Sequence, residues 1–313
     1  MVSPPPATAQ LAPVLNSDGA VFNLTVLPAA ARHPDGDAIQ FDVLQGHANE
    51  VIALLRRFGL DEQGSIVLEP VTTSISAEAS RARLGRHRFD DFAPVWEEVE
   101  ARIRSDGRFA PSWYLLLVIA GLIAAVGLLT NSEILIVGAM VVGPEYGAIV
   151  AMAFGVTKKD WGRVSHSAAA LTVGFGLAVI AALLLGLVIR AAGLEPHAFS
   201  LGVRPVSNLV NTPNWFSVIV AVLAGVVGVI SLTEARASTL IGVFISVTTI
   251  PAAADVGVSA AFGSSQEALG SAEQLLLNVF LLGAVAAVGI PVQRAVWRHA
   301  LGSPGRRSTR TGG

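Results

Sequence analysis

The chain contains no cysteine. Disulfide frameworks, thiolate metal sites and cysteine nucleophiles are thereby excluded, and the redox compartment is left open. Charge is also scarce: only 14% of 313 residues are Asp, Glu, Lys or Arg, against 52% hydrophobic, and mean hydropathy is +0.61. A soluble domain of ordinary composition carries far more charge, so a membrane protein is the reading that fits. Several catalytic signatures are missing as well: the sequence has no nucleophile elbow, no H-E-x-x-H, no phosphate-binding loop and no G-x-G-x-x-G. The opening MVSPPPATAQLAPVL has neither a basic stretch nor an apolar core long enough for a cleaved signal peptide. It reads as a disordered lead-in, residues 1–19.

What charge there is lies unevenly. Residues 1–112 carry fifteen acids and ten arginines, net −5, whereas 113–293 carry eight acids and six bases. Two regions are implied. In the first, VFNLTVL and AIQFDVL alternate as strands, HANEVIALLRRFG has helical spacing and SIVLEPV returns to strand. PDGD at 34–37 is the turn between the first two strands, and Gly59 after Arg56 and Arg57 is a helix stop. These features predict a small α+β module of ferredoxin-like type, a cytoplasmic domain that with its linker covers 20–93. His87, Asp90 and Asp91 lie in a mixed-charge run, RARLGRHRFDD, read as solvated linker with no metal. Over 94–112 the spacing puts Val95, Trp96, Val99 and Ile103 on one face of an amphipathic juxtamembrane helix. A linker helix packed on the soluble module fits those residues equally well.

Six apolar segments follow, at about 113–130, 133–155, 166–189, 214–232, 237–262 and 273–293, each near the length of about 20 residues that crosses a bilayer. They define a transmembrane domain over 113–293, followed by a basic tail at 294–313. If the segments alternate, Arg102, Arg104, Arg108, Lys158, Lys159, Arg163, Arg236, Arg294 and Arg298 share one side, and only Arg190 and Arg204 fall opposite. The positive-inside rule then places both termini in the cytoplasm of a multi-pass plasma (inner) membrane protein. The two triplets also resemble each other: AGLIAAVGLLT at 120–130 matches AGVVGVISLT at 224–233, and each is followed by a span with a central proline and a closing Ala-Phe-Gly. Three crossings per unit make the second copy inverted, an arrangement common in secondary transporters.

In each copy the second span carries a helix breaker, GPEYG in one (Gly143, Pro144, Gly147) and TTIPAAAD in the other (Pro251). Backbone groups freed there must be buried in protein or line a wet cavity. The same two segments hold Glu145 and Asp255, the ionisable residues well inside the apolar stretches, and a charge in hydrocarbon costs about 2.5 kcal/mol or more. These acids, with Ser246, Thr248, Thr249 and Asn278, form the candidate substrate- or ion-binding set.

The stretches LIVGAMVVGPEYG, SLTEARASTLIGVFISVTTIPAAADVGVSAAFG and QLLLNVFLL, with PDGDAIQFDV and VWEEVEARI before the membrane, resemble the bacterial domain-of-unknown-function family numbered 389 in its actinobacterial form, over about 34–295. That resemblance implies a hydrophobic membrane protein and little chemistry. The family's amino-terminal module often has an extra strand and helix before PDGD, and many members carry an apolar residue where this chain has Glu145. Three readings of function stand at this point. One is a transporter or channel for a small solute or ion with its site at two broken helices. A second is a membrane-anchored sensor or scaffold whose amino-terminal domain binds a ligand. The third is an intramembrane enzyme using Glu145 and Asp255 as acid and base. The first is favoured, because six spans with matched breaks exceed what an anchor needs. It calls for no cofactor and no nucleic acid; its partners are the lipid bilayer, the transported species and further copies of the chain.

Overall fold

The computed structural model describes residues 1–71, 77–78, 81, 93–233 and 249–301. Two compact units make up the chain, Met1–Glu100 with the residues from Trp297 on, and Ala101–Val296.

The first unit is built on a three-stranded sheet of order β1-β3-β2, with β1 at Val2–Ser3, β2 at Val21–Arg32 and β3 at Asp35–Val43. Both pairings are antiparallel. Helix α1, Pro5–Ser17, connects β1 to β2, which is the split β-α-β arrangement. The amino-terminal residues are therefore ordered structure, contrary to the expected disordered lead-in. Their proline-rich composition hid the reason: Pro5 takes the first position of α1, where its missing N–H costs nothing, and Leu11 and Leu15 fall four apart on one face. Both leucines are fully buried in a core with Val51, Leu55 and Leu60. Val51 and Leu55 belong to α2, Gln45–Arg57, and Leu60 to the short α3, Leu60–Gln63. Gly59 separates these helices at φ +69°, a conformation only glycine adopts cheaply. The hairpin turns at His33–Pro34, one step before the predicted PDGD, since Arg32 pairs with Asp35. SIVLEPV, predicted as a strand, makes only a single bridge from Ser65 to Val2. Val67, Leu68 and Val71 stay exposed, so its alternation of apolar residues has no sheet to join.

Helix α4, Trp96–Asp106, follows. Its apolar face is covered by protein, with Trp96, Val99 and Ile103 all buried, so it is not a face offered to a membrane interface. Asn49 of α2 fixes the start of the helix by accepting from the Trp96 N–H and donating to the Pro94 carbonyl. The run containing His87, Asp90 and Asp91 lies outside the described residues.

The second unit is helical. Its elements are α5 (Pro111–Thr130), α6 (Glu133–Val142), α7 (Glu145–Lys158), α8 (Trp161–Ala191), α9 (His197–Ser200), α10 (Pro205–Asn211), α11 (Trp215–Thr233), α12 (Thr249–Ala261) and α13 (Ser265–Leu301). Four of these, α5, α8, α11 and α13, are long and apolar enough to cross a membrane; α6 and α7, bent by 50° at their junction, make a fifth if they count as one span. Six crossings are expected from the sequence, and the described residues hold four helices of spanning length, or five with the bent pair. Of the expected span at 237–262, residues 249–262 are described, and α12 covers 249–261 of them.

Small residues set the spacing of the helices. A Cβ at Gly121 of α5 would lie 3.0 Å from the Cβ of Ala178 in α8. One at Gly257 of α12 would meet the backbone of α8 at the Leu183 nitrogen, 2.7 Å away. Gly186 of α8 faces Ala261 of α12 just as closely. Helix α12 thus lies against α5 and α8. Helix α7 makes the converse crossing: its Tyr146 ring lies on Gly228 of α11, and Ile149 and Met152 approach Gly283 of α13.

Candidate functional site

The break between α6 and α7 falls at Gly143–Pro144. Proline has no N–H to continue the ladder, and the last amide before it, that of Gly143, bonds the Ala139 carbonyl at 3.2 Å. The freed Pro144 carbonyl accepts from the indole N–H of Trp113 in α5 at 3.2 Å. Gly143 has to be a glycine here, because a Cβ would overlap the side chains of Ile250 and Glu145. Gly147, expected as part of the break, is helical within α7. Its lack of a side chain instead admits Asp106 of α4, whose Cβ would lie 3.0 Å from a Cβ at Gly147. Burial pushes the Asp106 carboxyl above the usual carboxylate range, and nearby Arg102 opposes the shift.

Glu145 is the first residue of α7, where the helix's N–H groups favour a negative charge. It is 4% exposed. Its Oε1 accepts from the hydroxyl of Thr249, the first described residue of α12, at 2.7 Å. The bond joins the start of α7 to α12 across 104 residues of sequence. The other carboxylate oxygen, Oε2, has no side-chain partner among the described residues. Pro251, the expected breaker of the second span, is helical within the described part of α12.

Asp255, one to two turns further along α12, has a different environment. It is fully buried, and both of its oxygens are satisfied: Oδ1 accepts from Ser207 of α10 at 2.8 Å and Oδ2 from Ser271 of α13 at 2.6 Å. Asn211 in turn donates to the Ser207 oxygen at 3.4 Å. On α13, Gln274 Nε2 donates to Asn278 Oδ1 at 3.0 Å, and Gln274 Oε1 has no partner among the described residues.

The single expected site is therefore two clusters. Glu145 and Thr249 come together; Asp255 bonds to serines outside the expected set, and Asn278 bonds to Gln274. Ser246 and Thr248 lie outside the described residues. Sequence reasoning missed Ser207, Ser271 and Gln274. Ser271, Gln274 and Asn278 had a readable signal, since their spacing puts three polar residues on one face of an apolar helix. Ser207 had only Pro205 opening a short helix in a loop.

That loop also explains the two arginines that break the charge asymmetry. Arg204 bonds Glu267 at 2.8 Å and Ser264 at 3.1 Å, and its guanidinium stacks 4.0 Å from the Phe199 ring centre. Arg190 donates to the Ala261 carbonyl at 2.8 Å. Both tie down the turn between α12 and α13.

Residues 140–302, just over half of the chain, match the family model described as Domain of unknown function (DUF389). The chain belongs to this family. The matched region contains the helix break, both acids and the α12–α13 hairpin; the PDGD and VWEEVEARI stretches lie before it. Among curated proteins, the uncharacterised protein MJ0678 of Methanocaldococcus jannaschii is 21% identical over 174 residues, covering 56% of this chain and 52% of that protein. This chain thus spans about half the length of the curated relative it matches. No solved structure matches it.

Proposed function

We propose that this protein transports a small solute or ion across the plasma (inner) membrane, through a site where two interrupted helices meet inside the bilayer. The observation that carries this reading is the Glu145–Thr249 contact: a buried carboxylate at the start of α7, one oxygen bonded to α12 and the other without a partner among the described residues. Intramembrane acids are costly and persist where they serve a pathway or a relay. Interrupted helices whose ends face each other are how many secondary transporters build a binding site. The reciprocal crossing of α7 onto α11 and α13, and of α12 onto α5 and α8, supports two inverted three-helix repeats with six crossings in all. The amino-terminal unit is read as a ferredoxin-like cytoplasmic domain, both termini as cytoplasmic, and the assembly as a homo-oligomer embedded in lipid.

The test is flux of candidate solutes and ions in proteoliposomes. Glu145→Gln and Asp255→Asn are each expected to lower it, and unchanged flux in both variants would remove the site. The orientation is tested separately, by single cysteines in this cysteine-free chain. A cysteine at Gln266 should react with an impermeant reagent added outside intact cells, and one at Lys159 should not.

A further inference from the structure

Polar residues of α13 continue from the Asp255 cluster toward the level of Glu145. Helices α12 and α13 are connected by three residues, 262–264, and Asp255 and Ser271 lie six residues from the facing ends of their helices. Their hydrogen bond fixes the register of an antiparallel pair. Thr249 precedes Asp255 by six residues and Asn278 follows Ser271 by seven, so both lie about 9–10 Å from that contact in the same direction. Asn278 is thereby level with Thr249 and Glu145, and Gln274 stands between the two levels. All six residues are at least 96% buried.

The character of this ladder is one-sided. It contains two carboxylates, hydroxyls and amides, and no Lys, Arg or His. Its two orphaned atoms, Glu145 Oε2 and Gln274 Oε1, are both oxygen acceptors. What such a set lacks is positive charge, and an anion finds no partner in it. Both oxygens of the Asp255 carboxylate are already taken by hydroxyl donors, which leaves Glu145 Oε2 as the carboxylate oxygen open to a cation. A proton would satisfy Glu145, but the amide oxygen of Gln274 takes up no proton near neutral pH, whereas it readily ligates a dehydrated metal cation, as carbonyl oxygens do in selectivity filters.

We infer that the ladder from Glu145 and Thr249 through Asn278 and Gln274 to Asp255 and Ser271 binds a dehydrated monovalent alkali cation, with Glu145 supplying the compensating charge and Gln274 an intermediate oxygen. This names the transported or coupling species for the site proposed above and rests on that reading.

Binding is tested apart from transport. Thermal unfolding of the purified full-length protein in detergent is compared in NaCl, KCl and choline chloride at equal ionic strength. A saturable rise in Tm of several degrees in Na+ or K+ over choline is expected. Glu145→Gln should abolish it without lowering the Tm in choline. Gln274→Leu should abolish the difference between alkali and choline salts, from a lower baseline set by its lost bond to Asn278. Gln274→Glu serves as a second variant that does not rely on loss: it adds a charged ligand and should lower the half-saturating Na+ concentration by tenfold or more. Equal Tm in all three salts for the wild type, a full alkali-cation response in Glu145→Gln, or unchanged half-saturation in Gln274→Glu would each overturn the inference. A response to pH alone would do the same and assign the site to a proton. Flux without a cation-specific Tm rise defeats this inference and leaves the transport reading standing. A cation-specific rise without flux defeats the transport reading and upholds the site.

Discussion

Glu145 at the start of α7 and Asp255 midway along α12 are both buried acids, yet they are held in opposite ways. Asp255 receives a hydroxyl on each oxygen, from two different helices, and so cross-links α10, α12 and α13. Glu145 receives one, from Thr249, and its second oxygen has no side-chain partner among the described residues. A carboxylate whose acceptors are filled by neighbouring side chains is part of the scaffold. One left half-filled is stored electrostatic free energy, which a ligand can release.

The contrast is broken most directly at Asp255. Asp255→Ala removes the acceptor of two buried hydroxyls and leaves a void, and should lower stability by about 2–4 kcal/mol in a reversible detergent unfolding assay. A loss below about 1 kcal/mol would show that the serines do not hold the hairpin through this residue. Glu145→Gln keeps the oxygen that accepts from Thr249 while removing a buried charge. Its stability in alkali-free buffer should stay within about 1 kcal/mol of wild type, or rise. A large loss would make Glu145 a scaffold acid like Asp255.

The smallest effects are expected at two acids outside the spans, and they sharpen the same contrast. Asp160 caps α8, accepting from the Arg163 N–H at 3.1 Å and its guanidinium at 3.2 Å, and these bonds hold its carboxyl below the usual range. Its contribution is therefore present above the pKa of the unfolded chain and lost as pH falls through the lower folded value. Asp106 is raised by burial, so its contribution is present at acid pH and lost as pH rises through the folded value. Asp160→Asn should accordingly lower Tm slightly at neutral pH and leave it unchanged in acid. Asp106→Asn should flatten the decline of Tm between acid and neutral pH. Parallel shifts in both variants would show that filled and unfilled carboxylates do not differ as argued.

Much of the architecture was legible in the residues. Apolar runs of spanning length mark α5, α8, α11 and α13, because hydrocarbon demands about 20 apolar residues whatever the neighbours are. Pro144 announced the bend, since a missing N–H breaks a helix locally. The core leucines of α1 were legible too, at spacing four, but a proline-rich opening outweighed them. SIVLEPV had the alternation of a strand and lacked an edge to complete, because a strand exists only when another chain segment supplies its hydrogen bonds.

The sequence by itself determined which segments are apolar enough to span, where the first broken helix bends, and that Glu145 and Asp255 stand out as charged residues inside apolar stretches. These are properties of a residue and its near neighbours. Only the tertiary structure decided what each acid touches: that Glu145 meets Thr249, that Asp255 is claimed by Ser207 and Ser271, and that Arg204 closes on Glu267. Whether a buried carboxylate is filled or half-filled depends on hydroxyls 16 to 104 residues distant along the chain. Helix packing brings those groups within 3 Å, and local periodicity carries no information about them.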